Sequence, residues 1–456
     1  MVKIAKVIVD IPSKSIDHIF DYQVPEKFEQ VLEPGMRVVV PFGPRKIMGF
    51  VISLTDRTNV AKEKLKEIEE LMDLTPILTD ELLQLGNWLS DTTLSLKIVT
   101  LQAMLPQILK AKYEKELWLL EEEETVHPTI AKLFAGRQVI TMKDVEDSGM
   151  SYAQIQKYIR EGLIEVKYKV KSRETKKKIS WVEPADMIKL MEAREDVPKR
   201  AVKQQLLMDY FMENPKPIVL KKLENELKVT RATIRSLQDK GLVKITEKES
   251  YRDPYEDRSF KKTYPLPLTE EQQQAIKPIW NTIHKEVHDV FLLHGVTGSG
   301  KTEVYLQSIQ KVLEQGKEAI VLVPEIALTP QMVQRFKGRF GSKVAVMHSG
   351  LSAGEKYDEW RKIQRQEVQV VVGARSAIFA PFTNLGIIII DEEHETSYKQ
   401  DETPRYHARD VAIFRGEFHS RPVVLGSATP TLESFARGKK GVYTLLSLTK
   451  RMNNSE

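Results

Sequence analysis

From Leu268 onward, short apolar runs alternate with segments of helical period, and that alternation predicts a parallel α/β sheet. Val290 to Leu293, Ala319 to Val323, Val344 to His348, Val368 to Val372, Ile387 to Ile390 and Val423 to Leu425 are the predicted strands. Ile387 to Ile390 has no polar position at all and reads as a strand covered on both faces. Thr302 to Leu313 carries the helical period and stops at Gly316, where a helix end is expected. The amino-terminal part follows the other period. Lys3 to Ile11, Arg37 to Val40 and Gly49 to Ile52 alternate or run apolar, with turns at Pro34-Gly35 and Pro41-Phe42-Gly43. Residues 1–110 therefore predict a small β-rich module, with a leucine-rich helix from Thr79 to Leu89 packed on it.

Residues 111–250 change to short helices and charged links, and within them the chain repeats itself weakly. Val139 to Lys169 and Pro217 to Lys248 both read as helix, turn, helix, with Ser151 or Thr230 as N-cap, and then a glycine-leucine entry into a strand pair. A winged-helix region of α+β class is the expectation. The second helix of each copy carries cations, Lys157 and Arg160 in one and Arg231, Arg235 and Lys240 in the other, that could face DNA phosphates, the alternative being a winged helix that makes only protein contacts. Lys171 to Arg200, with Lys176-Lys177-Lys178, reads as a surface connector, and the polar, proline-containing residues 251–267 as the linker before a lobe spanning 268–456.

Composition narrows the classes. The 69 Lys and Arg against 64 Asp and Glu leave a net charge of +5, which permits nucleic-acid binding without demanding it. With no cysteine there can be no disulfide, thiol nucleophile or cysteine-based zinc site. The first residues lack the apolar core of a signal peptide and no run approaches a membrane span, so the expected location is cytoplasmic.

Two segments carry the chemistry. Gly295 to Thr302, GVTGSGKT, follows an apolar strand and opens a helix, the context in which a glycine-rich loop wraps backbone N–H groups around a polyphosphate. Gly295, Gly298 and Gly300 give the loop its conformation, Lys301 would reach the terminal phosphates, and the Thr302 hydroxyl would ligate magnesium. Asp391-Glu392-Glu393-His394 follows the four isoleucines directly, at the end of the strand where ligands collect in parallel sheets. Asp391 suits a magnesium ligand there and Glu392 a water-orienting base for phosphoryl transfer, so ATP and Mg2+ are the expected cofactors.

Further motifs fall in a fixed order: Leu268 to Gln272, with Gln272 placed before the phosphate loop as in an adenine-reading Gln motif, then PEIALTPQ from Pro324, HSGLS from His348, GARSAIFAPF from Gly373, DEEHETSYKQ from Asp391 with RYHARD from Arg405, and GSATP from Gly426. This set resembles the first RecA-like lobe of superfamily 2 helicases, and most closely the PriA (primosomal protein N′) family of bacterial replication-restart helicases. The resemblance implies a multidomain chain: a 3′-DNA-binding module, a winged-helix region and one RecA-like lobe. It implies that Phe20, which composition alone reads as core, stacks on a terminal base, that Asp21 bonds the terminal nucleotide, and that Gly43 and Lys66 complete that pocket. It also implies single-stranded-DNA contacts by Arg375 and by the loop residues Tyr398, Lys399, Arg405, Tyr406, His407 and Arg409, with Ser427, Ala428 and Thr429 coupling them to hydrolysis. Thr403-Pro404 stands where the family more often has glycine and an aromatic residue, so one stacking ring is expected to be missing.

The family's second lobe, arginine finger, zinc insert and carboxy-terminal domain have no counterpart here, so the chain reads as an amino-terminal portion, weakly active or inactive alone, with zinc expected only in the missing half. The implied activity is ATP-dependent 3′–5′ DNA unwinding at forks as a monomer, together with primosome proteins and single-stranded-DNA-binding protein and without a membrane. A DNA-structure-binding scaffold without motor activity is the alternative, and an RNA helicase or duplex translocase a third reading.

Overall fold

The computed structural model describes residues 3–110, 113–120, 127–170, 178–198, 201–249 and 260–452. They form two compact units, residues 1–171 with 254–456, and residues 172–253.

In the larger unit the amino-terminal module is an antiparallel sheet of β1 (Ile4–Val9), β2 (Phe20–Gln23), β3 (Arg37–Phe42), β4 (Arg45–Thr55) and β5 (Glu70–Leu71), in the order β2-β1-β4-β3-β5. Gly43 and Pro44 make the two-residue turn between β3 and β4, and Gly43, at φ +58°, takes the conformation that a side chain would oppose. Helices α1 (Asp80–Thr93) and α2 (Lys97–Ala103) cover the sheet. Thr79 caps α1 by accepting from the Leu82 amide. Buried Arg37 pairs with buried Asp73 at 2.7 Å and also donates to the Leu109 carbonyl.

The first repeat copy belongs to the same unit. Strand β6 (Tyr113–Leu119) pairs antiparallel with β7 (Val139–Thr141) and β8 (Ile164–Val170), with helices α3 (Pro128–Phe134), α4 (Met142–Ser148) and α5 (Tyr152–Arg160) between them. Ser151 caps α5 in a reciprocal capping box with Gln154, as expected. The cationic face of α5 is not free, however. Gln156 is buried and donates to the carbonyls of Val31 (3.1 Å) and Leu74 (3.3 Å), and Arg160 pairs with Glu33. Of the expected phosphate contacts, Arg160 is thus engaged by the amino-terminal module, while Lys157 remains exposed.

The second unit repeats the plan. Strand β9 (Lys178–Pro184) pairs antiparallel with β10 (Ile218–Val219) and β11 (Val243–Glu249), and helices α6 (Met187–Asp196), α7 (Val202–Glu213), α8 (Leu220–Leu227) and α9 (Arg231–Asp239) complete it. Each copy has the short strand on one side of its first strand and its last strand on the other. This corrects two expectations. Residues 178–196 of the expected connector are the central strand and a helix of the second copy, and each glycine-leucine entry leads into one strand that pairs back to the start of its copy. Lys176 and Lys177 lie outside the described residues. Thr230 precedes α9 but makes no capping bond with its side chain.

The lobe is a seven-stranded parallel sheet in the order β14-β15-β13-β16-β17-β12-β18. Its elements in chain order are α10 (Glu270–Lys285), β12 (Val290–Gly295), α11 (Lys301–Glu314), β13 (Glu318–Leu322), α12 (Pro330–Phe340), β14 (Val344–Met347), α13 (Ala353–Gln364), β15 (Val370–Gly373), β16 (Leu385–Ile390), α14 (Ala408–His419), β17 (Val423–Ser427), α15 (Leu432–Lys439) and β18 (Thr444–Leu448). Every residue of β16 is buried, as the isoleucine run requires. β18 was not anticipated; it pairs parallel with β12 and closes one edge. Residues 260–267, the described part of the expected linker, lie along the lobe: Thr263 donates to the Gly338 carbonyl (2.9 Å) and Leu266 to Glu303 (3.0 Å).

Buried and half-buried ion pairs join these parts of the larger unit. Glu81 of α1 accepts from Arg415 (2.6 and 3.0 Å) and His419 (2.8 Å) of α14. Arg361 and Arg365, on and just after α13, reach Glu165 of β8 at 3.1 and 3.0 Å.

Candidate nucleotide site and nucleic-acid interface

The loop between β12 and α11 closes around a cleft of about 690 Å³ lined by Lys301, Thr302, Asp391 and Glu392, with Tyr264 and Arg335 at its rim. Gly298 and Gly300 sit at φ +82° and +81°, and a Cβ at Gly300 would lie 2.2 Å from the Gln272 amide nitrogen. Only glycine fits there. The Lys301 ammonium donates to the Gly295 carbonyl (2.8 Å) and lies 3.9 Å from Glu392. The buried Ser299 hydroxyl has no hydrogen-bond partner among the described residues. Polyphosphate oxygens would satisfy both groups. Thr302 and Asp391 supply the hard oxygen donors that magnesium takes, so the residues fit the cofactor pair.

Gln272 is placed differently from its expected role. It is fully buried, its carbonyl oxygen completes the capping box of α10, and its amide donates to Ser299 O (3.1 Å) and Gly300 O (3.4 Å). It braces the phosphate loop from behind and does not line the cleft. Its sequence position at the N3 site of a Thr269 cap already held that signal.

The acidic quartet divides between two tasks. Asp391 accepts from the Tyr305 hydroxyl (2.9 Å), and its own carbonyl accepts from Tyr398 (2.6 Å). Burial raises the Asp391 carboxyl above its usual range, helped by neighbouring Glu392 and opposed by Tyr305 and Lys301. Glu392 has φ +48°, a conformation that costs a non-glycine residue about 1–3 kcal/mol and is found at sites the fold over-determines. Glu393 and His394 turn the other way. Glu393 accepts from the Thr431 amide (2.7 Å) and the Ser434 hydroxyl (2.9 Å), and Ser427 lies 2.7 Å from His394 Nδ1. The Ser427 hydroxyl also accepts from the Thr429 amide (3.0 Å), so it is hydrogen-bonded to both His394 and Thr429. Ser427 and Thr429 are thereby tied to the quartet; Ala428 makes no side-chain hydrogen bond.

The loop after the quartet corrects the expected stacking surface. Tyr398 and Tyr406 are 1% and 4% exposed, and Tyr406 packs edge-on against Phe379. Neither ring is open to a base. Arg409 is buried beside Ser434 and Glu433. Arg375 donates to the carbonyls of Ser397 (3.0 Å) and Lys399 (2.8 Å), so it shapes the loop. Lys399 and Arg405 are exposed, and the half-buried His407 caps α14 through the Arg409 amide (3.1 Å). Interleaved rings and cations looked like a stacking surface, but the tertiary fold draws the rings inward.

At the amino-terminal candidate pocket, Phe20 is half-buried on edge strand β2, 4.2 Å from the His18 ring and 5.2 Å from Phe42. Asp21 opposes Lys6 in register and accepts from it at 2.8 Å and from Thr58 at 2.6 Å. Gly43 follows Phe42 and faces open space, and the carbonyl of exposed Lys66 accepts from the Gln23 amide on β2. No helix among the described residues is long and apolar enough to cross a membrane.

Residues 6–106 match the family model of the PriA 3′DNA-binding domain, and residues 269–437 that of the DEAD/DEAH box helicase. A replication restart protein PriA of Bacillus subtilis is 56% identical over 99% of this chain and 56% of its own length. Proteins of the same description from Synechocystis and Chlamydia pneumoniae are 35% and 33% identical over 94% and 97% of this chain, and 52% and 51% of theirs. The chain spans about half the length of these curated relatives.

Proposed function

The chain belongs to the family of replication restart proteins PriA, and from that premise we propose that it carries the fork-recognising module and first motor lobe of an ATP-dependent 3′–5′ DNA helicase that restarts replication with other primosome proteins. The observation that carries the reading is the meeting of Lys301, Thr302, Asp391 and Glu392 in one cleft, in a lobe welded to a 3′-end-binding module. In this reading Lys301 leaves the Gly295 carbonyl for the terminal phosphates, Thr302 and Asp391 hold Mg2+, and Glu392 orients the attacking water. Mg2+ when bound supplies charge neutralisation for the transferring phosphoryl group. Glu393 and His394 pass movement of the quartet to the segment around Ser427. DNA contact in the lobe rests on Lys399, Arg405 and His407, which remain accessible. The decisive experiment measures nucleotide hydrolysis with forked DNA, with RNA and without nucleic acid, using this chain and a form carrying a second lobe. Stimulation by RNA equal to that by forks would remove the assignment. Fork binding with no hydrolysis in the longer form would favour the scaffold alternative.

Both repeat copies are proposed as winged helices, bounded as 111–250 together with the amino-terminal module at 1–110 and the lobe from 268. Only the second copy presents its second helix to a duplex. Arg231 and Arg235, one turn apart, are exposed and form no ion pair among the described residues. Replacing both by alanine is expected to lower fork affinity and reduce the slope of log affinity against log salt by about 2, because each phosphate contact contributes close to one. An unchanged slope would make this copy a protein-binding module.

The 3′-end pocket is proposed at Phe20, Asp21, Gly43 and Lys66. Forks with a 3′-hydroxyl at the branch should bind more tightly than forks ending in a 3′-phosphate, whose charge would face Asp21. Phe20→Ala should lose about 1–3 kcal/mol of that preference, the value of one stacked base, while keeping the salt-dependent background. Equal affinity of the unaltered chain for both ends would return Phe20 to the core of the sheet.

A further inference from the structure

The cleft leaves one buried polar group without a role: the phenol of Tyr305. Tyr305 follows Lys301 by four residues on α11, so both lie on the face of the helix turned toward the sheet. It is 1% exposed, and a tyrosine buried in an apolar core needs a partner for its hydroxyl. That partner is Asp391, at 2.9 Å. The phenol gets there only because residue 426 has no side chain. A Cβ at Gly426 would stand 1.6 Å from the Tyr305 oxygen and 2.9 Å from its ring carbon, and 3.4 Å from the Asp391 Oδ1 that the phenol meets. Phenylalanine would pack the same space, so the hydroxyl, and the glycine that admits it, serve the carboxylate.

We infer that Tyr305, passing over Gly426, is a positioning residue for the metal-binding carboxylate of Asp391. The inference rests on the reading of this cleft as a magnesium–nucleotide site. A carboxylate that gives Oδ1 to Tyr305 cannot rotate freely, and its remaining lone pairs stay available to the cleft it lines. Tyr398, bonded to the Asp391 carbonyl, fixes the same residue at its backbone, so side chain and main chain are held independently. Tyr305 is not among the residues lining the cleft, so it would act only through Asp391.

The test is binding of a fluorescent ATP analogue by the whole 456-residue chain, titrated with and without Mg2+. Tyr305→Phe should leave metal-free nucleotide affinity within about twofold and raise the Mg2+ concentration at half-saturation about 10–100-fold, the usual effect of losing a group that orients a metal ligand. Gly426→Ala, which pushes the phenol aside, should do the same. Combined with Tyr305→Phe it should add little, because both changes remove one contact. An unchanged Mg2+ midpoint in Tyr305→Phe, or additive effects in the double variant, would overturn the inference and leave Tyr305 as packing. Loss of metal-free affinity and thermal stability together would overturn it too, by showing a structural role. If the unaltered chain bound no nucleotide with or without Mg2+, the reading of the cleft would fall first and the inference with it.

Discussion

Lys301→Ala is expected to weaken nucleotide binding by about 100-fold or more and to leave fork affinity nearly unchanged. A hydrogen bond to a charged group is worth roughly 1.5–3 kcal/mol, and an ammonium spanning two phosphates makes at least two, so a loss of about 3 kcal/mol is the conservative figure. The lysine is already in place for the task. Its side chain is 9% exposed, and its ammonium is held by one carbonyl at 2.8 Å and by Glu392 at 3.9 Å. Both partners are weaker than a polyphosphate. Within the unit that holds Lys301, the surfaces proposed for DNA at Phe20 and at Lys399 and Arg405 share no hydrogen bond or ion pair with it among the described residues, where its partners are Gly295 and Glu392. Nucleotide titration followed by fluorescence, beside fork titration followed by anisotropy, separates the two. Loss of both affinities together would mean that capture of DNA and of nucleotide are not divided between modules.

The sequence was most readable where one local rule decided the outcome. Four isoleucines can be tolerated only inside, and β16 is inside; a glycine-rich loop after a strand has few alternatives, and Gly298 and Gly300 take the conformations it needs. It was least readable where distant segments compete for one side chain. Tyr398 and Tyr406 sit among cations in the sequence, yet the carbonyl of Asp391 and the ring of Phe379 decide their direction. Gln272 matched a base-reading motif, while the capping box and the carbonyls of Ser299 and Gly300 already use its amide. β9 was hidden because half of it is polar and its partners lie some distance along the chain. Tyr305 had only a faint signal, its four-residue spacing from Lys301.

The contact between Glu81 and Arg415 had no sequence signal, and its loss carries a large expected stability effect. Glu81→Ala is expected to destabilise the larger unit by about 3–5 kcal/mol, because Arg415 would remain as an unpaired charge with no exposed surface. Carbonyls of Ile378, Ala380 and Phe382 would still accept from its guanidinium, which neutralises none of the charge. The same pair predicts a pH dependence. Burial alone would raise the Glu81 carboxyl, but the Arg415 guanidinium and the His419 hydrogen bond outweigh it and pull the value from 4.5 to about 2. A carboxyl held below its unfolded value binds its proton more readily in the unfolded chain. Its contribution is therefore complete above pH 4.5 and is lost as pH falls from there toward 2, a total of about 3 kcal/mol. Denaturant midpoints measured between pH 3 and 7 should accordingly fall more steeply on the acid side for the unaltered chain than for Glu81→Gln, which keeps the shape and cannot titrate. The exposed pair Lys157–Glu161 is the control, since Glu161→Ala should change stability by less than about 1 kcal/mol. Equal acid sensitivity in Glu81→Gln and the unaltered chain would mean that other carboxylates govern the transition, and that the weld between the amino-terminal module and the lobe is held by packing rather than by this charge.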